Sequence, residues 1–390
     1  MDAMTKSGGL CFTLGEDQVA IREMAAAFAA ERLAPMAVEW DREKFFPVKV
    51  MREAAGLGMG GIYVSEAHGG SGLSRLDAAL IIEALAMGCP TVSAYISIHN
   101  MVAGMIDRYG TEAQRARYLP KLCSMEHLAS YCLTEPSAGS DAASLRTKAM
   151  RHGDEYVLNG VKQFISGAGV SDMYVVMARS GGLGASGISA FLIEAGTKGL
   201  SFGPNEHKMG WNAQPTRQVI MEDVHIPAAN LLGEEGSGFK IAMAGLDGGR
   251  INIGAASLGG AQAALDKTVK YVAERQAFGK NIGSFQALQF RIADMATELE
   301  AARLLLWQAA TALDHGDANA TSLCAMAKRF ATDAGFEIAN HALQIHGGYG
   351  YLADYGIEKI VRDLRVHQIL EGTNEIMRLI ISRHVLGGDK

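Results

Sequence analysis

The chain has 390 residues, 48% of them hydrophobic and 20% charged, with a formal net charge of −6 at pH 7. That length and apolar content suffice for two or three structural units with sizeable cores. The acidic balance and the lack of a basic run argue against nucleic-acid binding, so an anionic ligand needs a local site.

The first third reads as helical. Asp17 to Arg32 carries apolar residues at helical spacing among Ala, Glu and Arg. Further helices are expected over Pro47 to Gly56, Leu76 to Met87 and about Ser93 to Tyr109. Near Ser130 the texture changes, and β-branched residues and turn pairs increase up to about Gly233. Tyr156 to Leu158, Asn159-Gly160 and Val161 to Ser166 read as a hairpin, because Asn-Gly suits the two positive-φ positions of a type I′ turn. Met173 to Ala178, Ile188 to Ile193 and Gln218 to His225 are expected strands. After Gly238 the chain returns to helix. Phe285, Leu288, Ile292, Met295, Leu299, Ala302, Leu306, Ala309 and Leu313 step by three and four, as a bundle seam does. A second long helix is expected over Ala320 to Ile345. The order is helices, strands, helices, without the alternation of a doubly wound sheet.

Five cysteines, Cys11, Cys89, Cys123, Cys132 and Cys324, form no CxxC pair. Neither a disulfide framework nor a zinc site is expected, and a reducing compartment is. No run of about 18 apolar residues marks a membrane span. Met1 to Leu10 lacks the pattern of a secretory signal. The expected location is a bacterial cytoplasm, or the mitochondrial matrix if the chain is organellar.

Several short motifs admit a chemical and a plain reading. Gly182 to Gly187 matches GxGxxG, but a strand follows where a dinucleotide fold needs a helix, so a hairpin loop is the better account. Thr134-Glu135-Pro136-Ser137-Ala138-Gly139-Ser140-Asp141 is either a loop that offers N–H groups to an anion or a plain loop with a helix cap at Ser140 or Asp141. Arg275 to Lys280 puts two cations beside a glycine, which suits a pyrophosphate or a solvated helix end. Gly347 and Gly348 suit a left-handed cap after the helix ending near His346. No metal spacing surrounds His346. Glu371 follows the apolar Ile369-Leu370 and precedes Gly372; apolar surroundings would raise its pKa and make it a base. Spacing alone does not separate Glu371 from the other acids.

Taken together and in order, these segments resemble the acyl-CoA dehydrogenase family from about Leu14 to Leu386. The diagnostic stretches are Tyr131 to Pro136, Arg275 to Lys280, Gln344 to Gly348, and Leu370 to Thr373. Ala94 to Met101, Phe164 to Gly169, Gly210 to Arg217 and Gly248 to Ile253 are most similar to the branch that acts on isobutyryl-CoA. The resemblance implies an α+β multidomain fold: an N-terminal helical domain (1–129), a central small β-barrel or sandwich domain (130–235) and a C-terminal helical bundle (236–390).

It also implies flavin-dependent α,β-dehydrogenation of a short branched acyl-CoA, with FAD as cofactor. The implied partners are an electron-transferring flavoprotein and further copies in a homotetramer. Alternatives are a 2-methylbutyryl-CoA or short straight-chain enzyme, an acyl-CoA oxidase, and a flavin-carrying binding protein. By resemblance, Glu371 is the base. Tyr131, Leu133, Thr134, Gly139, Ser140, Phe164, Ile165 and Ser166 line the flavin. Arg275, Phe285, Gln286, Gln344, Ile345, His346, Gly347 and Gly348 hold the diphosphate and adenosine of a neighbouring subunit's cofactor, and Thr373, Asn374 and Glu375 also touch the cofactor. Ser140, Asp247, Gly248, Gly249, Arg250, Gly372 and Arg383 meet the substrate. Leu246, Ile369 and Leu370 are expected at the pocket floor. Ser137, Phe164 and Ala277 depart from the commonest family pattern, and Phe164 is shared by the isobutyryl branch.

Overall fold

The computed structural model describes residues 13–387, so Cys11, the Met1 to Leu10 segment and Lys390 lie outside the described residues. The first helix, α1 (Glu16–Phe28), runs into a π-turn over Ala29–Leu33. Pro35, which has no N–H, follows. Helices α2 (Ala37–Glu43), α3 (Val48–Ala55), α4 (Arg75–Gly88), α5 (Pro90–Tyr109) and α6 (Glu112–Cys123) complete this part. At the start of α4 the Ser74 hydroxyl accepts from the Asp77 N–H at 3.1 Å, and the Asp77 carboxylate accepts from the Ser74 N–H at 3.0 Å. This reciprocal cap satisfies two donors that a bare helix end would leave open.

Strands β1 (Ala129–Cys132), β2 (Lys148–His152), β3 (Glu155–Ser166), β4 (Met173–Arg179), β5 (Ile188–Glu194), β6 (Leu200–Phe202), β7 (Thr216–Pro227) and β8 (Leu231–Leu232) form one sheet. Its order is β6-β7-β3-β2-β4-β5-β8, with β1 lying parallel to β4. The hairpin expected at Asn159-Gly160 is not there. β3 runs straight through that dipeptide, and the reversal falls at Gly153-Asp154 between β2 and β3. Pairing with β7 along the whole of β3 outweighs the local turn preference. Gly160 instead sits at a register shift with φ 151°, where a Cβ would come 2.5 Å from the Thr147 hydroxyl. Gly182 to Gly187 joins the antiparallel pair β4 and β5, as a hairpin loop should.

The remaining elements are α7 (Gly238–Glu274), β9 (Gln276–Ala277), β10 (Lys280–Asn281), α8 (Gln286–His315), α9 (Ala320–His346), α10 (Ile357–Arg365) and α11 (Asn374–Val385). Along the predicted seam, Met295, Leu299, Ala302, Leu306 and Ala309 are buried. They meet α1, α4 and α9 in one apolar core, so the N-terminal and C-terminal helices are built around a common interior. Arg275 to Lys280 is neither a helix end nor an open loop. It is a two-stranded hairpin, with Phe278 (φ 54°) and Gly279 (φ 79°) at its turn. Among the described residues, no helix is long and apolar enough to cross a membrane, and no group of three His, Cys, Asp or Glu could hold a metal.

Candidate active site

Glu371 lies in the loop between α10 and α11, and its backbone is left-handed, with φ 56°. Gly372 follows at φ 91°. A left-handed non-glycine residue costs on the order of 1 kcal/mol or more and persists only where its surroundings over-determine it. Those surroundings come from α9. The Lys328 ammonium donates to Gly372 O at 2.8 Å and to Asn374 Oδ1 at 2.9 Å. The Asn374 amide donates to Thr332 Oγ1 at 2.9 Å and to Asp333 Oδ1 at 2.7 Å. Gln368 Nε2 donates to the same Asp333 oxygen at 2.9 Å.

A second brace reaches the loop through His367. Trp211 Nε1–H donates to His367 Nε2 at 3.2 Å, which leaves the proton on Nδ1, and Nδ1 meets Ser257 Oγ at 2.6 Å. Burial, with the Lys328 charge acting in the same sense, pushes His367 down to about 3, so the ring is neutral. Trp211 is itself left-handed (φ 56°), and its N–H donates to Asp363 at 2.7 Å.

The Glu371 side chain lies over α7 at Gly249, where a Cβ would overlap its carboxylate. Its Oε2 is shut from solvent and has no hydrogen-bond partner. Burial pushes the carboxyl up to about 7, against the pull of Arg250 and Lys328. The residue as a whole is only half-buried, so the carboxyl lies inside while part of the side chain faces a cleft. The Tyr131 hydroxyl is also buried and unpartnered, and burial together with the Glu371 charge pushes its phenol well up. Arg250 is turned inward: its Nη1 pairs with Asp247 Oδ1 at 2.6 Å, and Asp247 Oδ2 accepts from Thr321 at 2.8 Å.

Beside Tyr131 the segment Leu133 to Ser140 lies over the sheet. Glu135 fixes it, and this residue was not singled out from the sequence. Its carboxylate accepts from Lys162 Nζ at 2.8 Å and from the N–H groups of Arg146 and Thr147 at 2.6 and 2.8 Å. Burial pushes the Glu135 carboxyl up, but Lys162 and these hydrogen bonds outweigh it, and the group sits below its ordinary range. Lys162 also donates to Leu133 O at 3.0 Å, and Thr134 O accepts from the Gln163 N–H at 2.8 Å. Next along β3 comes Phe164, left-handed (φ 60°) and 63% exposed, then buried Ile165 and Ser166, whose carbonyl accepts from Ser130 at 2.6 Å. A Cβ at Gly139 would meet nothing within 4 Å. The helix cap read for Ser140 or Asp141 is not made by either side chain.

A second region lies at the other end of α7. Tyr271, Arg275, Ile345, His346, Gly347 and Gly348 line a cleft of about 500 Å³, so two segments far apart in sequence come together. His346 stacks on Tyr271 at 4.3 Å, and its Nδ1 meets Ala342 O at 2.7 Å. Gly347 has φ 59° but ψ −137°, outside the left-handed helical region, so the expected cap takes another form, and Gly348 has no positive φ. A Cβ at Gly347 or Gly348 would meet nothing within 4 Å. Phe285 stands edge-on to Phe278 at 6.0 Å, and neither it nor its exposed neighbour Gln286 lines this cleft. Gln344 is exposed beside it. Along α7, Gly249 and Arg275 are separated by about 39 Å at the ordinary helical rise.

Several expected contacts are placed otherwise. The Asn374 side chain is consumed in holding the loop and is buried. Thr373 caps α11, accepting from the Ile376 N–H at 3.3 Å, while Glu375 and Arg383 are exposed. Ile369 is 51% exposed and cannot be a pocket floor, whereas Leu370 packs on the cluster around Trp211. Leu246 is partly buried beside Met101 and Met105. The sequence reading missed Lys328, Asp333, Trp211 and His367. A signal existed for Lys328 and Thr332: they lie one turn apart on a face of α9 otherwise made of Cys324, Ala327 and Ala331.

The chain matches three family descriptions in succession: the acyl-CoA dehydrogenase N-terminal domain over residues 15–126, the middle domain over 130–224 and the C-terminal domain over 236–386. It belongs to the acyl-CoA dehydrogenase family, whose members are FAD-dependent oxidoreductases. It is 56% identical to the mitochondrial isobutyryl-CoA dehydrogenase of Bos taurus, over 96% of this chain and 90% of that protein. It is 57% identical to that of Dictyostelium discoideum, over 96% of this chain and 91% of that one. Butyryl-CoA dehydrogenase from Megasphaera elsdenii superposes with a TM-score of 0.94 at 39% identity, covering 97% of this chain and all of the other.

Proposed function

We propose that this protein oxidises a short branched acyl-CoA, isobutyryl-CoA, to its 2,3-enoyl product, methacrylyl-CoA, a step of valine breakdown. The observation that carries the reading is the Glu371 carboxyl: dry, without a partner on Oε2, and poised near neutrality. A structural carboxylate at such depth would be paired. A general base is best left unpaired with a pKa near the working pH. The choice of isobutyryl-CoA rests on the likeness to two isobutyryl-CoA dehydrogenases.

FAD suits the residues present. Exposed Phe164, the open backbone at Gly139, and the Thr134 to Ser140 loop pinned by Glu135 offer a face for a flat ring. Arg275 with the open backbone at Gly347 and Gly348 suits a diphosphate. The separation along α7 exceeds what one dinucleotide spans, so the second region would serve a neighbouring copy, which fits a homotetramer. When bound, the flavin supplies the acceptor for the β-hydride. Glu371 takes the α-proton. Its basicity comes from exclusion of water, and its aim from Lys328 and Asn374, which hold the loop. The Glu371 backbone N–H is a donor for the thioester oxygen as charge develops there. Gly249 leaves room for the carboxylate, and Gly372, Arg250 and Ser140 border the substrate.

An electron-transferring flavoprotein is the proposed acceptor, and a bacterial cytoplasm, or a mitochondrial matrix, the proposed location. The three units are proposed to divide near 129/130 and 235/236. The test is an anaerobic visible spectrum of purified yellow protein before and after isobutyryl-CoA, 2-methylbutyryl-CoA and butyryl-CoA. The flavin band should bleach fastest with isobutyryl-CoA. Faster bleaching by another thioester of the panel would reassign the substrate, and a colourless protein would remove the reaction.

A further inference from the structure

One polar cluster near Glu371 has no role in the chemistry above. The Arg75 guanidinium lies over the Tyr63 ring, 3.6 Å from its centroid. Among the described residues Arg75 makes no ion pair; its backbone N–H is held by Asp314 at 2.8 Å, which fixes the start of α4 and leaves the side chain free to point inward. The Tyr63 hydroxyl is buried with no partner, and so are both amide atoms of Asn252, a residue 1% exposed. Such groups are costly when left dry and unpaired.

The cluster is built into the same stretch of α7 that receives the base. A Cβ at Gly248 would lie 2.7 Å from Arg75 Nη1, while one at Gly249 would overlap the Glu371 carboxylate. The two charged groups thus approach consecutive residues of one helix, whose Cα atoms are about 3.8 Å apart. Asn252 lies one turn further along α7. Gly104 on α5 makes room for Tyr63, since a Cβ there would meet the ring at 2.6 Å. The Glu371 charge, the Arg75 charge and the Asn252 amide all act on the Tyr63 phenol.

We propose that Tyr63, Arg75 and Asn252 form a polar end wall to the acyl cleft, a few carbon atoms from the base. The wall turns away acyl chains lengthened by apolar carbon and accepts chains of the same length that end in a hydrogen-bonding oxygen. An added methylene would strip water from a guanidinium, a phenol and an amide and return nothing. An apolar floor would act in the opposite sense, tightening binding about fourfold per added methylene.

This inference rests on the proposed acyl-CoA chemistry, and its test is binding, not turnover. Dissociation constants are measured by calorimetry on Glu371→Gln holoenzyme for butyryl-CoA, hexanoyl-CoA and 5-hydroxypentanoyl-CoA, the last matching hexanoyl in heavy atoms. Hexanoyl-CoA should bind at least tenfold more weakly than butyryl-CoA, and the hydroxylated chain should recover at least threefold of that loss. Hexanoyl-CoA binding as tightly as butyryl-CoA, or a hydroxylated chain no better than hexanoyl, would overturn the proposal. Arg75→Met and Asn252→Leu in the same background should each shift the hexanoyl-to-butyryl ratio at least threefold toward the longer chain. No shift in either folded variant would also overturn it. The spectrum of the unsubstituted enzyme with isobutyryl-CoA is read separately, so failure of the proposed reaction is told apart from failure of the wall.

Discussion

Replacing Glu371 by glutamine removes a charge from a dry site and keeps the shape of the side chain. A carboxyl raised from 4.5 to about 7 resists ionisation by roughly 3 kcal/mol. The sign follows from the direction of the shift. The folded protein binds this proton more tightly than the unfolded chain does. Below about pH 4.5 both forms hold the proton and the residue costs nothing; as pH rises through 7 the full cost of a buried carboxylate develops. Glu371→Gln should therefore be more stable than the parent by up to about 3 kcal/mol at pH 8, a shift of about 4 °C for a chain of this length. At pH 5 the gain should fall below about 1 kcal/mol. Paired thermal melts of the flavin-loaded proteins at the two pH values measure it. Turnover by the variant should fall at least about a hundredfold, as loss of a general base requires. A variant that melts no higher than the parent at pH 8 would show that the carboxyl is not desolvated. Near-parental turnover would remove Glu371 from the role of base.

Gly249→Ala should displace the carboxylate it abuts and lower kcat at least about tenfold while flavin content stays normal, read by steady-state rates and the visible spectrum. Lys328→Met strips the donor from Gly372 O and Asn374 Oδ1; it should cost about 2–4 kcal/mol in urea unfolding and lower kcat more than it changes KM. Glu135→Gln leaves the Lys162 ammonium buried without its counter-charge, which should cost about 3–5 kcal/mol and loosen flavin retention on gel filtration. The rate of flavin bleaching by substrate should climb with pH through an apparent pKa near 7, that of Glu371 before substrate enters, and a rate flat from pH 6 to 8 would contradict the assignment.

Periodicity carried most of the fold. The α8 seam and the strands β4 and β5 fall where apolar spacing places them, because those residues are buried by the elements that contain them. Asn159-Gly160 misled because its turn preference is local while the pairing that overrides it comes from β7, far along the chain. α6 was not anticipated: it is rich in charge and contains Pro120, and the signal was the Thr111–Gln114 capping box at its start. For the site, resemblance pointed to Glu371, the flavin-side loop and the glycines of α7. It did not point to what holds them. Lys328, Asp333 and His367 act on Glu371 only after α9 and α10 are folded against the loop, so no spacing within one segment reveals them. Asn374 shows the converse, a motif residue whose side chain works on the protein and not on a ligand.

Phe164, Trp211 and Glu371 share a backbone conformation that glycine or asparagine would adopt more readily. Anyone selecting for heat resistance would therefore be drawn toward these three positions, since relaxing any one of them offers a gain. Each relaxed variant would lose an aromatic surface, a brace or the reacting carboxyl. Libraries built for durability should hold these three codons fixed and look for improvement on the outer faces of α8 and α9.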